Sequence, residues 1–532
     1  MAKDNSFQWD NHKVFIAIGS GLLGALAYTF TDTFWFSAVE GEVYALSSLF
    51  TAVVFWAMLK WEQVADEPRA NRWIVLIAYL MGLSIGVHLL NLLTIPALAF
   101  IFYFRKYKPT TKGIIITLLF SSAILLFVQY GIIQRTVELS GFFDKLFVNS
   151  FGFSFGWGII FYILLLITLF TIGIRYSVKQ RKPLLNLSFW SAAAIIIGYS
   201  SYGMIIIRSA ANPPMDENNP ENVYAFISYL NREQYGDRPL LRGPYYDAEI
   251  IESKNGDPIY IQAFVVKDKK NKNQGVFAIK REAEEFIKEN TDKEGLHIVN
   301  QYMLNGYKPK MVYDPNRQTF IPRLHSPDPN HRSEYEFWGN IKKGAKPEFG
   351  NNLTFLFRYQ FGWMYWRYFM WNFSGRENDN QGYGDANKGH WISGIKAVDE
   401  WSTGMPQTNL PDELKDNRGR NAYFFFPLVL GIIGIVFQFT RDRQAFFVVL
   451  LFFILTGLAT VFYLNQPPLE PRERDYTYAG SFYAFAIWIG LAFMAIMHYM
   501  KEMRKNDIMI PAIGAGFGVA AYLVGTATNS EG

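Results

Sequence analysis

The sequence predicts an α-helical polytopic membrane protein with about eleven transmembrane helices and a mixed α/β insert on the outer side. Half of its 532 residues are hydrophobic and 17% are aromatic, while only 18% carry charge. The apolar residues fall in runs close to the roughly 20 that a bilayer core requires. Clusters of Lys and Arg recur between alternate runs, as in chains whose basic loops stay cytoplasmic. This balance excludes a disordered or collagen-like chain. With no Cys in the sequence, disulfide frameworks, thiolate metal sites and Cys nucleophiles are excluded as well. The net charge of +5 is modest, and no nucleic-acid partner is expected.

The spans fall near 14–30, 43–59, 73–87, 89–104, 113–133, 156–174, 187–207, 422–439, 444–463, 480–500 and 508–526. The third and fourth are short and read as bent helices sharing an outer turn. The first run, with Lys13 and Ala25-Leu26-Ala27, also resembles a signal peptide, but an uncleaved helix suits the polytopic remainder. Arg69 and Arg72, then Arg105, Lys106, Lys108 and Lys112, then Arg175, Lys179, Arg181 and Lys182, then Arg441 and Arg443, and lastly Lys501, Arg504 and Lys505 fall on one side. That side is the predicted cytoplasmic one, and residues 31–42, acidic and without a basic residue, lie opposite.

The chain therefore divides into N-terminal spans over 1–207, an external insert over 208–421 and C-terminal spans over 422–532. Within the insert, 223–230 and 283–289 read as helices, and 259–266, rich in β-branched and aromatic residues, as a strand. Residues 353–373 concentrate eleven aromatic rings with Arg358 and Arg367. Rings with an apolar body and a polar tip favour the headgroup layer, which predicts an interfacial helix; an aromatic core helix of the insert is the alternative. Nucleotide-binding loops, dinucleotide fingerprints, zinc spacings and nucleophile elbows are absent from the sequence.

Three polar constellations converge on the outer face, where ionisable groups beside span ends mark a candidate site. Asp32, Glu40 and Glu42 are the candidate catalytic carboxylates, able to take a proton from a hydroxyl. They are equally the acidic residues that a helix start favours. Arg472 and Arg474, with Asp475 and Tyr476, run against the positive-inside tendency and suit a phosphate held by guanidinium forks. The competing reading is a local ion-pair network with Glu473 and Asp475. His88 and Asn91, after Gly82 and Gly86, form a polar pair that lines a cavity or only satisfies local hydrogen bonds.

Arginines for a lipid phosphate, a nearby carboxylate and an aromatic lip suit one reaction: the phosphate leaves a sugar's anomeric carbon while a hydroxyl attacks. A transporter or flippase of a lipid-linked glycan would use the same arginines without bond making, although the inverted repeats common in such proteins are missing. A non-catalytic scaffold displaying the insert is a third possibility. No metal site and no cofactor is expected beyond a lipid-linked sugar as substrate, although acidic pairs can hold a divalent ion.

Five strings carry a family resemblance: Phe34-Trp35-Phe36-Ser37-Ala38-Val39-Glu40-Gly41-Glu42-Val43-Tyr44, Gly82-Leu83-Ser84-Ile85-Gly86-Val87-His88-Leu89-Leu90-Asn91, Tyr229-Leu230-Asn231-Arg232-Glu233-Gln234-Tyr235-Gly236-Asp237-Arg238-Pro239, Arg367-Tyr368-Phe369-Met370-Trp371-Asn372-Phe373 and Pro471-Arg472-Glu473-Arg474-Asp475-Tyr476. Together they resemble the bacterial membrane proteins related to the animal secretory-pathway O-mannosyltransferase that carries tetratricopeptide repeats. The resemblance implies a GT-C type glycosyltransferase in a bacterial inner membrane, its active side facing the periplasm. It would transfer a sugar, mannose by analogy, from a polyprenyl-phosphate carrier to Ser or Thr hydroxyls of exported proteins. Two departures point to a piece of a longer architecture. The family's first span and its acidic external loop have no counterpart before Lys13, and its helical repeats have none after Gly532.

Overall fold

The computed structural model describes residues 10–236, 238–290 and 295–503. Eight helices are long and apolar enough to cross a membrane, which makes this a helical polytopic membrane protein. The N-terminal helices are α1 (Asn11–Thr29), the short α2 (Asp32–Val39), α3 (Val43–Val64), α4 (Arg72–Ile85), α5 (Leu89–Lys106), α6 (Thr111–Phe151), α7 (Trp157–Lys179) and α8 (Pro183–Ser209). After the insert come α13 (Phe426–Arg441), α14 (Arg443–Leu464) and α15 (Ala479–Met503). Helices α4 and α13 are the two shorter apolar helices beside the eight. The first ten predicted spans each coincide with one of these helices, and the eleventh, 508–526, lies outside the described residues.

Small residues let these helices cross closely. Gly82 of α4 lies against the backbone of Ile195, and Gly198 of α8 against Tyr79 and Leu83, so each glycine admits the other helix. Gly434 of α13 meets the backbone of Trp488 on α15 in the same way. The basic turns share one end: Lys106 reaches Asp66 at 3.0 Å, Arg105 pairs with the same carboxylate, and Arg105 Nε donates to the Glu62 carbonyl at 3.1 Å. The chain reverses at each turn, which puts 31–42, the loop before α15 and the insert together at the other end.

Helix α6 passes well beyond its predicted end. It runs on through a π-helical stretch at Phe127–Gln134 to Phe151, and its C-terminal half packs on the start of α7 and carries the insert. The insert opens with α9 (Val223–Leu230) and β1 (Arg242–Pro244), followed by β2 (Ile250–Lys267), β3 (Asn273–Phe277), α10 (Lys280–Glu289), β4 (His297–Tyr313) and β5 (Gln318–Phe320). The order β3-β2-β4 is antiparallel throughout, and β1 pairs with β5. The larger sheet is clamped to α6, because Asn149 exchanges two hydrogen bonds with the Tyr302 backbone and the Tyr302 hydroxyl donates to Asp144 at 2.7 Å.

Two more helices, α11 (His331–Trp338) and α12 (349–373), lead back to the bundle. The interfacial placement expected for the aromatic segment is corrected here. Every residue from Arg367 to Phe373 is buried, and Phe369 and Phe373 meet Phe485 of α15 at ring distances of 4.9 and 4.5 Å. Rings distributed around the whole helix need partners on several sides, and α13 to α15 supply them; Phe357 and Trp366 remain on an exposed stripe.

Adding a methyl group at the α13–α15 crossing must push backbone from backbone. Gly434→Ala is expected to cost about 1–3 kcal/mol. Thermal unfolding in detergent measures this, and an unchanged midpoint contradicts the crossing described.

Candidate active site

At the end of the bundle away from the basic turns, four distant chain segments enclose a cavity of about 410 Å³. The α2 segment and the start of α3 bring Thr33, Glu40, Glu42 and Tyr44, and α12 brings Trp371. The insert contributes Arg376 and Arg418, and the loop before α15 contributes Arg472, Asp475 and Tyr476.

That loop is held by a buried ion pair. Glu473 accepts two hydrogen bonds from Arg367, at 2.7 and 3.2 Å, one from the Tyr368 hydroxyl at 2.5 Å and one from the Gly382 amide at 3.1 Å. Burial works against ionising Glu473, but Arg367 and these donors outweigh it and hold the carboxyl below its ordinary range. Arg367, only 2% exposed, is enclosed by the rings of Trp363, Tyr368 and Trp371 at 4.0 to 4.7 Å and donates to the carbonyls of Trp363 and Gly389.

The two arginines expected to share a phosphate have different carboxylate partners but meet at one hydroxyl. Arg472 turns into the cavity mouth, pairs with Glu42 at 3.1 Å, lies over the Tyr476 ring and donates to its hydroxyl at 3.3 Å. Arg474 reaches the same Tyr476 hydroxyl, while its amide donates to the Tyr368 hydroxyl and its guanidinium donates to Glu470 at 2.6 Å. Its φ of −120° and ψ of 22° break the extended geometry that would have kept both side chains on one face. The competing sequence reading, neutralisation of the two arginines by Glu473 and Asp475, is not what forms: Glu473 pairs with Arg367, Asp475 accepts from Thr33, and the arginines pair with Glu42 and Glu470.

The carboxylates are graded by depth. Glu40 is exposed on the cavity lining, and Glu42 is tied to Arg472. Asp475 is on the wall, accepting from the Thr33 hydroxyl at 2.6 Å, while Thr33 in turn is fixed by two hydrogen bonds with Asn372. Asp32 is 1% exposed and accepts from Asn421 at 3.1 and 3.2 Å. Burial pushes its carboxyl up to about 6 against the opposing pull of Arg376 and the Asn421 hydrogen bond. Arg376 exchanges backbone hydrogen bonds with Asn421, and its guanidinium stacks on Trp371 at 4.1 Å.

His88 and Asn91 have different surroundings. The His88 ring packs on Tyr44 at 5.1 Å, and Tyr44 stacks on Tyr476 at 4.3 Å, so His88 backs the cavity wall without lining it. Burial and Arg232 push its imidazole down to about 4, and Nδ1 accepts from the Leu90 amide. Asn91 is buried in the bundle, accepting from Thr51 at 3.0 Å. Arg376, Arg418 and the anchoring Arg367 escape the sequence reading. Arg367 is visible there only as part of an aromatic string, and the other two sit in polar stretches without pattern. No cluster of three metal-ligating side chains occurs among the described residues.

Residues 1–111 match the family model described as the N-terminal domain of the protein O-mannosyl-transferase TMEM260. Residues 279–357 match a family of unknown function, DUF8416. No curated protein and no solved structure matches the chain. The first match supports a relation to a protein O-mannosyltransferase and covers Asp32, Glu40, Glu42, His88 and Asn91. The arginine-bearing segments lie beyond it.

The Asp32 environment predicts a pH signature. Below about pH 4 the carboxyl is protonated in folded and unfolded chains alike. Between about pH 4 and 6 the unfolded chain gives up this proton while the folded chain keeps it, so the folded state loses about 3 kcal/mol in all, the loss levelling off above pH 6. Unfolding midpoints between pH 4 and 7 are expected to show this loss in the wild type and not in Asp32→Asn; parallel profiles contradict it.

Proposed function

We propose that this chain is a membrane glycosyltransferase that moves a sugar, mannose by its kinship, from a polyprenyl-phosphate carrier to Ser or Thr hydroxyls of exported proteins. The observation that carries the proposal is the joining of Arg376, Arg418 and Arg472 with Asp475 and Glu40 around one cavity at the end of the bundle opposite the basic turns. The kinship of residues 1–111 supplies the class of reaction.

In this reading the guanidinium groups hold the donor phosphate and stabilise the charge it gains on leaving. The acceptor oxygen bonds to the anomeric carbon as the bond from that carbon to the phosphate oxygen breaks. Asp475 takes the hydroxyl proton, and its buried negative charge offsets the oxocarbenium character of the sugar. Glu40 at the rim positions the acceptor, Glu42 orients Arg472, and Asp32 positions Arg376 from behind the wall. The Tyr44–Tyr476 stack supplies an apolar face for the sugar. The cavity faces the periplasm of a bacterial inner membrane, and the fold is of the GT-C kind.

The test is transfer from radiolabelled polyprenyl-phosphate mannose to a Ser/Thr peptide by the purified chain. Arg376→Gln with Arg472→Gln is expected to lower transfer by a factor of about 100 or more. Undiminished transfer rejects the assignment. A wild type that moves the lipid-linked sugar across vesicles without releasing polyprenyl phosphate indicates a flippase instead.

A further inference from the structure

Arg474, paired with Glu470 where Arg472 pairs with Glu42, belongs to a second basic cluster. Arg474 donates to one oxygen of Glu470 at 2.6 Å, and Arg238 faces the other at 3.5 Å. That oxygen, Oε1, accepts no hydrogen bond, and Nε of Arg474 donates none. Arg323, fully buried, donates to the carbonyls of Phe462 and Leu240 at 2.9 and 3.4 Å, leaving its own Nε without an acceptor. Among the described residues Glu470 is the one carboxylate paired with Arg238 and Arg474, so two guanidinium groups meet a single negative charge, and Arg323, bound to the same last turn of α14 as Arg238, adds a cation whose hydrogen-bond partners are carbonyls. Such an excess of buried cation calls for an anion. His325 adds no charge, since burial together with Arg238 and Arg323 pushes it down to about 4 despite its contact with the Asn465 carbonyl.

The position of the cluster narrows the anion. Arg238 donates to the carbonyl of Leu464, the last residue of α14, and Arg323 to that of Phe462, in its last turn. Between them Tyr463 is exposed, as an aromatic residue at a membrane border is. The cluster thus lies at the end of a span, at headgroup depth. Arg238 and Arg474 keep 29% and 22% of their side chains exposed, which leaves an approach to the guanidinium groups.

We propose that Arg238, Arg323 and Arg474 form a second anion site, on the far side of Tyr476 from the cavity that Arg472 lines, which binds the phosphate of a lipid headgroup at the bilayer border. Glu470 fills the site when it is empty and is displaced from Arg474 when the phosphate enters. The proposal does not depend on glycosyl transfer.

Binding of dioctanoyl phosphatidic acid to the purified full chain in neutral-lipid nanodiscs tests it, with inorganic phosphate as the soluble counterpart. Arg238→Gln with Arg474→Gln is expected to weaken one saturable binding event about tenfold or more, while Arg376→Gln with Arg472→Gln leaves that event in place. Glu470→Gln, which removes the competing carboxylate, is expected to tighten it about threefold, an effect that misfolding does not produce. Binding unchanged by Arg238→Gln with Arg474→Gln, or weakened by Glu470→Gln, overturns the proposal. Inorganic phosphate bound as tightly as the lipid overturns the lipid assignment. A chain that loses its only binding event in the Arg238 and Arg474 variant supports this site and argues against a phosphate in the cavity.

Discussion

The bidentate pair between Arg367 and Glu473 fixes the loop on which both basic clusters depend. An arginine enclosed by three rings and a carboxylate with four donors resist separation, because removing either partner leaves an uncompensated buried charge at a cost of about 3–5 kcal/mol. The pair also gives the long aromatic helix a reason to be buried. Only a helix inside the protein can hold a guanidinium dry enough to clamp the loop and still leave Tyr368 free to bridge Glu473 and the Arg474 amide.

Beside that anchor the neighbouring arginines take different carboxylates. Arg472 meets Glu42 at the start of α3, and Glu470 of the same loop takes Arg474 and Arg238 of the insert, so one short loop joins the N-terminal helices to the insert. The same arrangement appears in the carboxylates. Asp32 and Asp475 come from opposite ends of the chain yet are held through Thr33, Asn372 and Asn421, which also set Arg376. A polar network of this kind is rigid when every member is satisfied, and rigidity is what a site for charge development requires.

The transmembrane helices were legible in the sequence because exclusion of water leaves a strong periodic signature, and the basic turns gave their alternation. The end of α6 was not, since its apolar run gives way to a mixed composition while the helix continues to Phe151, and Asn149 near its end is held by Tyr302, 153 residues away. The aromatic segment 353–373 misled for a related reason: rings suit a headgroup layer and a core equally, and the choice was made by α13 and α15. The meeting of Glu42 with Arg472 follows from their shared side of the membrane. Arg376 and Arg418 could not be singled out, because nothing local distinguishes a surface arginine from one placed over a cavity by a distant asparagine.

The claim beneath all of this is that acids from the start of the chain and arginines from its far end open onto one face, opposite the basic turns. Since the chain has no Cys, single substitutions report position without background. Labelling of Glu40→Cys, Arg418→Cys and Tyr107→Cys with a membrane-impermeant maleimide in sealed vesicles of known orientation is the most direct measurement. Glu40 and Arg418 positions labelled from one face, and the Tyr107 position only from the other, is the predicted outcome. Labelling of either site position from the same face as Tyr107 would contradict the account.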